Sequence, residues 1–559
     1  MFLFLQKIHK QTMKKIYLSV LSLITAGSIY SQAFWTPTSF KGAFPVTDGQ
    51  TGVNSNDWTA GWCNWDPQNA NYPSTTTTVS SDISTNTTWS SGTVVLLQNK
   101  IYVTNGSTLT IEPGVVVRGD QATGGTLIVS RGSKIIAQGT QSNPIVFTSN
   151  QAAGSRNLGD WGGIVILGNA RNNQPGGVAV IEGGLDPVKA QFGGTDDTDN
   201  SGVFSFVRIE FGGIPFQVDK EINGLTMGSV GSGTKIDHVQ CSFTNDDSFE
   251  WFGGTVNAKY LVAFRGLDDD FDTDFGYRGN VQFGLIVRDP NIADQSTSST
   301  SEGFESDNDA NGTNAMPYTA PVFSNITLIG PYRGSTGNTI DAKFRRALRL
   351  RRNTYTSVFN SIFTDFPTGI HIDGSAAIAN ALSDSLRFEN NVFAGMGTGK
   401  NLDVSSTTAI RTWFNSNGND TTLASNASGL LVSPYNFTAG DYRLSANSLA
   451  ATGADFTDSY ILAAGVGIRD LTKSSHEFVA SLYPNPAKDN VVILLNHEVD
   501  AASINIEVID VTGKIVLSKK ENSKTTKINL STDDLINGLY FIKIKSGKFI
   551  STQKLLINK

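Results

Sequence analysis

The sequence predicts an all-β chain: a long solenoid of stacked coils followed by a small, separate β-sandwich. Three observations carry that expectation. In the stretch Lys235–Asp289 three short strands recur at a step of 23 residues, with Val239, Val262 and Leu285 in register, then Cys241, Phe264 and Val287, then Asp237, Tyr260 and Phe283. A fixed period of this size is what a solenoid needs, because each coil lays its apolar strand face on the previous one. From Thr93 onward, short β-branched runs are broken by Gly, Asn and Pro roughly every ten residues, the mark of coils with tight corners. The composition agrees: 56 glycines, 17 % charged residues and a length of 559 describe a turn-rich chain too long for one ordinary core.

In chain order, Met13-Lys14-Lys15, the apolar run Ile16 to Ala26 and the small residues before Gln32 read as a secretory signal peptide over 1–31, with Met13 as its start. Residues 32–92 form an N-terminal cap region. Trp58, Trp62 and Trp65 stand there among Gly and Pro, either covering the open end of a solenoid core or offering flat faces to bind sugar rings. Strands of the solenoid proper occupy 93–400, where Leu109 and Leu127, and Ile111 and Val129, repeat at a step of 18. Phe192-Gly193-Gly194, Phe211-Gly212-Gly213 and Phe252-Gly253-Gly254 each follow a strand, and Trp161-Gly162-Gly163 precedes one. An aromatic closes the core there and the glycines turn the corner. Asn360, Asn390 and Asn391 sit where stacked coils form amide ladders. Residues 401–475 read as final coils, cap and linker, and 476–559 as the sandwich, with turns at Pro484-Asn485-Pro486, Thr512-Gly513 and Asn537-Gly538.

Two resemblances sharpen this outline. The strings LTIEPGVVV, LIVSRGSKIIAQGTQSNPIVFTS, WGGIVILGNA, TNDDSFEWFGGTVNAKYLV and RRALRLRRNTYTSVFNSIF resemble right-handed parallel β-helix proteins exported by Bacteroidetes-type bacteria, over most of residues 90–395. That resemblance implies the architecture and says little about activity. The C-terminal segment is similar to the type A C-terminal sorting domain of the type IX secretion system. The matching residues are Tyr483, Pro484, Asn485 and Pro486, then Gly513 and Lys514, then Gly538 and Tyr540 ahead of the KLLI strand. It implies Sec export followed by type IX passage across the outer membrane, with the product released or anchored to surface lipopolysaccharide.

The formal charge is −7, and between residues 32 and 476 there are 28 basic against 41 acidic residues. An acidic body argues against nucleic acid, whose phosphates need Lys and Arg, and is compatible with divalent cations. Of the two cysteines, Cys241 lies on an inward strand face and reads as a buried small apolar residue. The acidic turns are the candidate metal ligands. Asp307, Asp309 and Asn311 ahead of Gly312 follow the D-x-D-x-N-G opening of a Ca²⁺ loop, though Tyr318 stands where the closing Glu belongs. Asp270, Asp272 and Asp274 make a second such set; a solvated acidic loop is the alternative for both. Asp246 and Asp247, with Arg349 and Arg351, are the candidate catalytic groups of a lyase or glycosidase. In ALRLRR, strand alternation buries Leu348 and Leu350 and turns Arg349 and Arg351 outward, where they can pair with acids on neighbouring coils. His371 is isolated, and no complete metallohydrolase, nucleophile-elbow or phosphate-loop motif is present. The sequence therefore points to an exported, non-catalytic β-helix acting in adhesion, matrix building or glycan contact. The alternative is a Ca²⁺-dependent polysaccharide lyase or glycoside hydrolase.

Overall fold

The computed structural model describes residues 34–217, 220–297, 299–465, 480–495, 504–511, 514–521, 527–546 and 549–559. The segment read as a signal peptide and the sorting-motif residue Gly513 lie outside the described residues. Among the described residues, parallel strands stack into one sheet of sixteen strands and a second of nine. The second sheet has an unbroken inward column: Ile101, Leu127, Ile164, Leu225, Phe249, Phe271, Phe304, Leu348 and Ile370 are consecutive partners. All nine are buried. Phe249, Phe271 and Phe304 meet edge to face, with centroids 5.6 and 5.2 Å apart, the arrangement that the ring quadrupole favours.

The step of 23 holds for one coil and fails for its neighbour. Val262 faces Leu285 and Phe264 faces Val287, but Val239 faces Leu261 and Cys241 faces Ala263, a step of 22. The corner between Phe252 and Asn257 is one residue shorter than that between Asp274 and Asn280. Gly253 and Gly254 turn the shorter one with φ of 74° and 86°. The step of 18 does not describe stacking. Leu109 faces Ile135, while Leu127 belongs to the other sheet, between Ile101 and Ile164.

Five long strands of the first sheet are each bent by one residue in the left-handed region, Phe206, His238, Tyr260, Phe283 and Asn325, and Asn360 takes the same conformation between the strands Ser357–Phe359 and Ile362–Thr364, with φ between 50° and 62°. Such a conformation costs a non-glycine residue roughly 1–2 kcal/mol, so it needs compensation. The aromatic members stack on one another at 4.2, 4.4 and 5.0 Å. Asn325 and Asn360, a residue type that tolerates this region, spend their amides on neighbouring chain.

The N-terminal tryptophans lie along this bent ridge and not over an end of the solenoid. Trp62 is fully buried, edge-on to Phe206 and His238; Trp58 lies between Phe44 and Tyr260; Trp65 packs on Phe264 and Tyr442. The segment is pinned by reciprocal bonds. Gln282 and Thr36 exchange two at 2.7 and 2.9 Å, and Gln240 and Asn64 two at 2.9 and 2.8 Å. These contacts make the three rings packing groups of the ridge, Trp62 fully buried and Trp58 and Trp65 half-buried. Beyond the last coils, the helix Thr408–Ser416 buries Ile410, Trp413 and Phe414, and Phe414 packs on Phe388 and Phe393.

The C-terminal sandwich has its own core of Val491, Ile493, Ile506, Val508, Ile542, Ile544 and Leu555, in antiparallel sheets of three and four strands. Its motif residues have local work. Asn485 donates to the Lys554 carbonyl and accepts from the Leu556 amide, holding the chain to the last strand. The Lys514 amide donates to Asp510, Gly538 opens the strand Gly538–Ser546, and buried Tyr540 donates its hydroxyl to the Ile536 carbonyl.

Phe271 lies mid-column, so Phe271→Ala should cost about 3–5 kcal/mol in urea unfolding. Val404→Ala, at a residue 73 % exposed, should stay within about 0.5 kcal/mol. Equal effects would refute the column as the main support.

Candidate functional site

Stacking repeats the outward positions of the second sheet as faithfully as the inward ones. Thr226, Glu250, Asp272, Glu305, Arg349 and His371 are consecutive partners on the outer face. They point outward because Phe249, Phe271, Phe304 and Leu348, one residue earlier, point inward. A second set precedes the same strands: Asp247, Asp269, Glu302 and Arg346. The Asp269 amide donates to Asp247 Oδ1 at 2.9 Å and the Glu302 amide to Asp269 Oδ1 at 2.6 Å.

Three groups of carboxylates result, each offering three oxygens within 4.8 Å of one another. They are Asp246, Asp247 and Asp268; Asp247, Glu250 and Asp272; and Asp269, Glu302 and Glu305. The arginine coil answers the last group. Arg346 is 3.1 Å from Glu302, Arg349 is 3.5 Å from Glu305, and Arg351 is in direct contact with Glu305. Asp247, Glu250, Asp269 and Asp272 make no ion pair among the described residues. Burial pushes all four well above the usual carboxylate range, and neighbouring carboxylates push them further. Burial also lifts Glu305 to about 7 against the pull of Arg351. Two buried oxygens at the middle group have no hydrogen-bond donor: Asp272 Oδ1, and Oδ1 of Asn223, whose Nδ2 donates to Glu250.

The two sequence-predicted calcium sets fare differently from their pattern. Asp307 is taken by Arg351 at 2.8 Å and Arg352 at 2.7 Å. Asp309 accepts from the Asn311 and Thr313 amides and the Thr313 hydroxyl, and Asn311 is exposed. These oxygens are turned to donors, and the 307–312 segment forms an Asp-capped turn beside a salt bridge. Asp272 and Asp274 lie at alternate positions of the strand Phe271–Asp274, and Asp270 precedes it. Asp270 is buried against Arg288 at 3.2 Å and lifted by burial to about 6, Asp272 joins Asp247 and Glu250, and Asp274 accepts from the Phe275 amide. Asp246 and Asp247 enter the carboxylate array. Arg349 and Arg351 share its face, with Arg349 held at 2.9 Å by Asp373.

The Asp268-Asp269-Asp270 run stands out in the sequence as an acidic turn, whereas Glu250, Glu302, Glu305 and Asn223 were not singled out, although a signal exists. Asp247-Ser-Phe249-Glu250, Asp269-Asp-Phe271-Asp272 and Glu302-Gly-Phe304-Glu305 repeat one acid-x-Phe-acid pattern, and Arg346-Ala-Leu348-Arg349 repeats it with the charge reversed. The middle group fits a hard divalent cation: its donors are all oxygens, they converge, and no direct ion pair engages them among the described residues, Arg351 acting on Asp272 from further off.

Residues 81–431 match the model of the pectate-lyase-like β-helix domain. The chain belongs to that family. Residues 481–558 match the secretion system C-terminal sorting domain, so this β-helix protein is exported to the cell surface or extracellular space and engages the type IX secretion machinery. No curated protein matches the chain. No described helix is long and apolar enough to cross a membrane.

The raised carboxyls set a pH dependence. Each binds its proton more tightly in the folded state than in the unfolded chain, so between about pH 4 and 7 folding takes up protons and stability falls as pH rises. In EDTA the melting temperature of the β-helix should therefore decrease across that range, and Asp247→Asn with Asp272→Asn should flatten the slope. A melting temperature that rises from pH 4 to 7 would refute this electrostatic account.

Proposed function

We propose that this exported β-helix is a non-catalytic contact protein that binds Ca²⁺ at Asp247, Glu250 and Asp272 and uses the ion to hold an extracellular glycan. The convergence of three unpaired carboxylates, with Asp272 Oδ1 buried and without a donor, carries the reading. Ca²⁺ takes six to eight oxygens at about 2.3–2.6 Å, and extracellular modules bind it at roughly 0.1–1 mM. A site made of three carboxylates leaves coordination positions for sugar oxygens. Adhesion or matrix building on a glycan suits such an ion, and an anchor to surface lipopolysaccharide or release would both present the face outward.

A polysaccharide lyase is the second reading, favoured by the placement of Arg349 beside Glu305 on the carboxylate face. The charge state of the arginines speaks for contact over catalysis. A base must lose its proton, yet Arg349 is held between Asp373 and Glu305. Burial lowers the Arg351 value, but Glu305 and Asp307 more than offset it and raise it above the usual arginine range.

At pH 7.5, adding 5 mM Ca²⁺ should raise the melting temperature by about 1–3 °C, what about 1–2 kcal/mol of ligand linkage gives in a chain of this length, and Asp272→Asn should abolish the rise. An unchanged melting temperature sinks the cation site. Glycan retention should require Ca²⁺ and leave the polymer uncleaved; unsaturated products lost on Arg349→Ala would establish the lyase instead. Export has its own test, since deletion of residues 481–558 should leave the protein in the periplasm by fractionation.

A further inference from the structure

Two buried polar groups near the connection between the strands Leu431–Ser433 and Asp441–Leu444 have no hydrogen-bond partner among the described residues: Nη1 of Arg333 and the hydroxyl of Tyr442. Arg333 stands at φ of 47°, a left-handed backbone that a non-glycine residue adopts only at a cost. Its guanidinium lies on the ring of Phe437, 3.8 Å from the centroid, and its Nη2 donates to the Tyr435 carbonyl. Arg265 lies over the same ring at 4.4 Å.

Tyr442 reaches this connection from the strand that follows it. Its side chain is 2 % exposed and packs against Trp65 and Phe44, with centroids 5.3 and 6.5 Å away. The hydroxyl fits because residue 440 is glycine: a Cβ there would stand 2.5 Å from that oxygen. Burial holds the phenol above its usual range against the pull of Arg333, so the hydroxyl keeps its proton and can donate.

Two guanidinium groups on one ring call for negative charge, and the acids nearby are already engaged. Asp289 holds Arg265 at 2.5 Å, while Asp365 accepts from the Tyr435 hydroxyl at 2.9 Å and the Gly334 amide at 3.1 Å. Arg333 makes no ion pair among the described residues. Burial lowers its value from the usual arginine range even though Asp289 and Asp365 pull the other way. Buried donors are nearly always paired, with chain, water or a ligand. Here one donor belongs to a charged group and the other keeps its proton. A small anion answers both and brings no hydrogens of its own, whereas a water brings two that need acceptors.

We infer that Arg333 Nη1 and the Tyr442 hydroxyl hold a small monovalent anion of the halide class, drawn from the medium, beneath the 434–440 connection. The ion ties that connection to the ridge where Trp65 of the N-terminal segment meets Tyr442. The site shares no residue with the carboxylate face and is independent of the glycan-contact reading.

The full-length chain is melted in EDTA at fixed ionic strength, in sodium bromide and in sodium gluconate, whose anion is too large for a buried site. At roughly ten times its Kd, bromide should raise the melting temperature by about 1–3 °C over gluconate. Tyr442→Phe keeps the ring and should weaken bromide about tenfold, read from the concentration that gives half the shift. Arg333→Met should abolish the shift. With no ion present, Tyr442→Phe would only delete an unpaired buried hydroxyl, and the protein would melt at the same or a higher temperature in both salts. That result, equal melting of the wild type in the two salts, or a shift kept by both variants overturns the site. Crystals grown in bromide read it directly: an anomalous peak between Arg333 Nη1 and the Tyr442 hydroxyl supports the ion, and a water there overturns it.

Discussion

Parallel stacking makes every position of a coil meet its own counterpart about 4.8 Å away. That constraint governs the whole molecule. For an apolar position the consequence is favourable, and the column from Ile101 to Ile370 is its product. For a charged position it is costly. Two like charges at that spacing repel by about 3–4 kcal/mol at an effective dielectric near 20. Glu250, Asp272 and Glu305 stand in such a column. The chain relieves one end by changing Glu305 for Arg349 on the next coil, so that the repeat becomes a salt bridge. The other end, toward Glu250, has no such answer. A chain that only needed a stable outer face would carry Thr or Asn there, as it does at Thr226 one coil earlier.

The left-handed ridge shows the same constraint acting on backbone. One residue bent to positive φ would be an isolated strain, but in a stack of identical coils the bend recurs, and the residues at it become neighbours. Phe206, His238, Tyr260 and Phe283 then stack face to face, and the N-terminal segment covers the stack with Trp58 and Trp62. Where the aromatics end, Asn325 and Asn360 take the same position; the Asn325 amide donates to the Phe40 and Gly42 carbonyls of the covering chain, and the Asn360 amide to the Asp455 carbonyl. The N-terminal segment is thus a lateral strap whose ring faces and polar bonds follow the ridge coil by coil.

Much of this was legible in the sequence, and the failures have physical causes. The apolar rhythm gave the solenoid because burial repeats with the coils. The same rhythm could not give the exact register, since corner length varies by single residues and Gly253-Gly254 turns in one fewer than the stretch after Asp274. Alternation placed Arg349 and Arg351 outward correctly, being a property of the strand alone. D-x-D-x-N-G is also the pattern of an aspartate-capped turn, and only the stacking shows Arg351 and Arg352 against Asp307. Glu250 and Glu305 went unnoticed because the acid-x-Phe-acid pairs that carry them lie in separate segments. They become a cluster only when the coils are superposed.

The order of charge along the face also bears on how it can work. Reading across the strands, the column runs from carboxylates without a direct ion pair, through carboxylates paired with arginine, to arginines beside the helix Ser375–Leu382. A ligand of one sign meets repulsion at one end or the other. A cation alone is drawn to the first end and an anion alone to the last. A polyanion with a bound Ca²⁺ satisfies both at once, because the ion reverses the sign at the acidic end and leaves the basic end unchanged. On the proposed reading, specificity comes from spacing, since a ligand that spans the face must match a separation set by whole strand steps. The rigid stack fixes that separation through the inward Phe271–Phe304–Leu348 column directly beneath it.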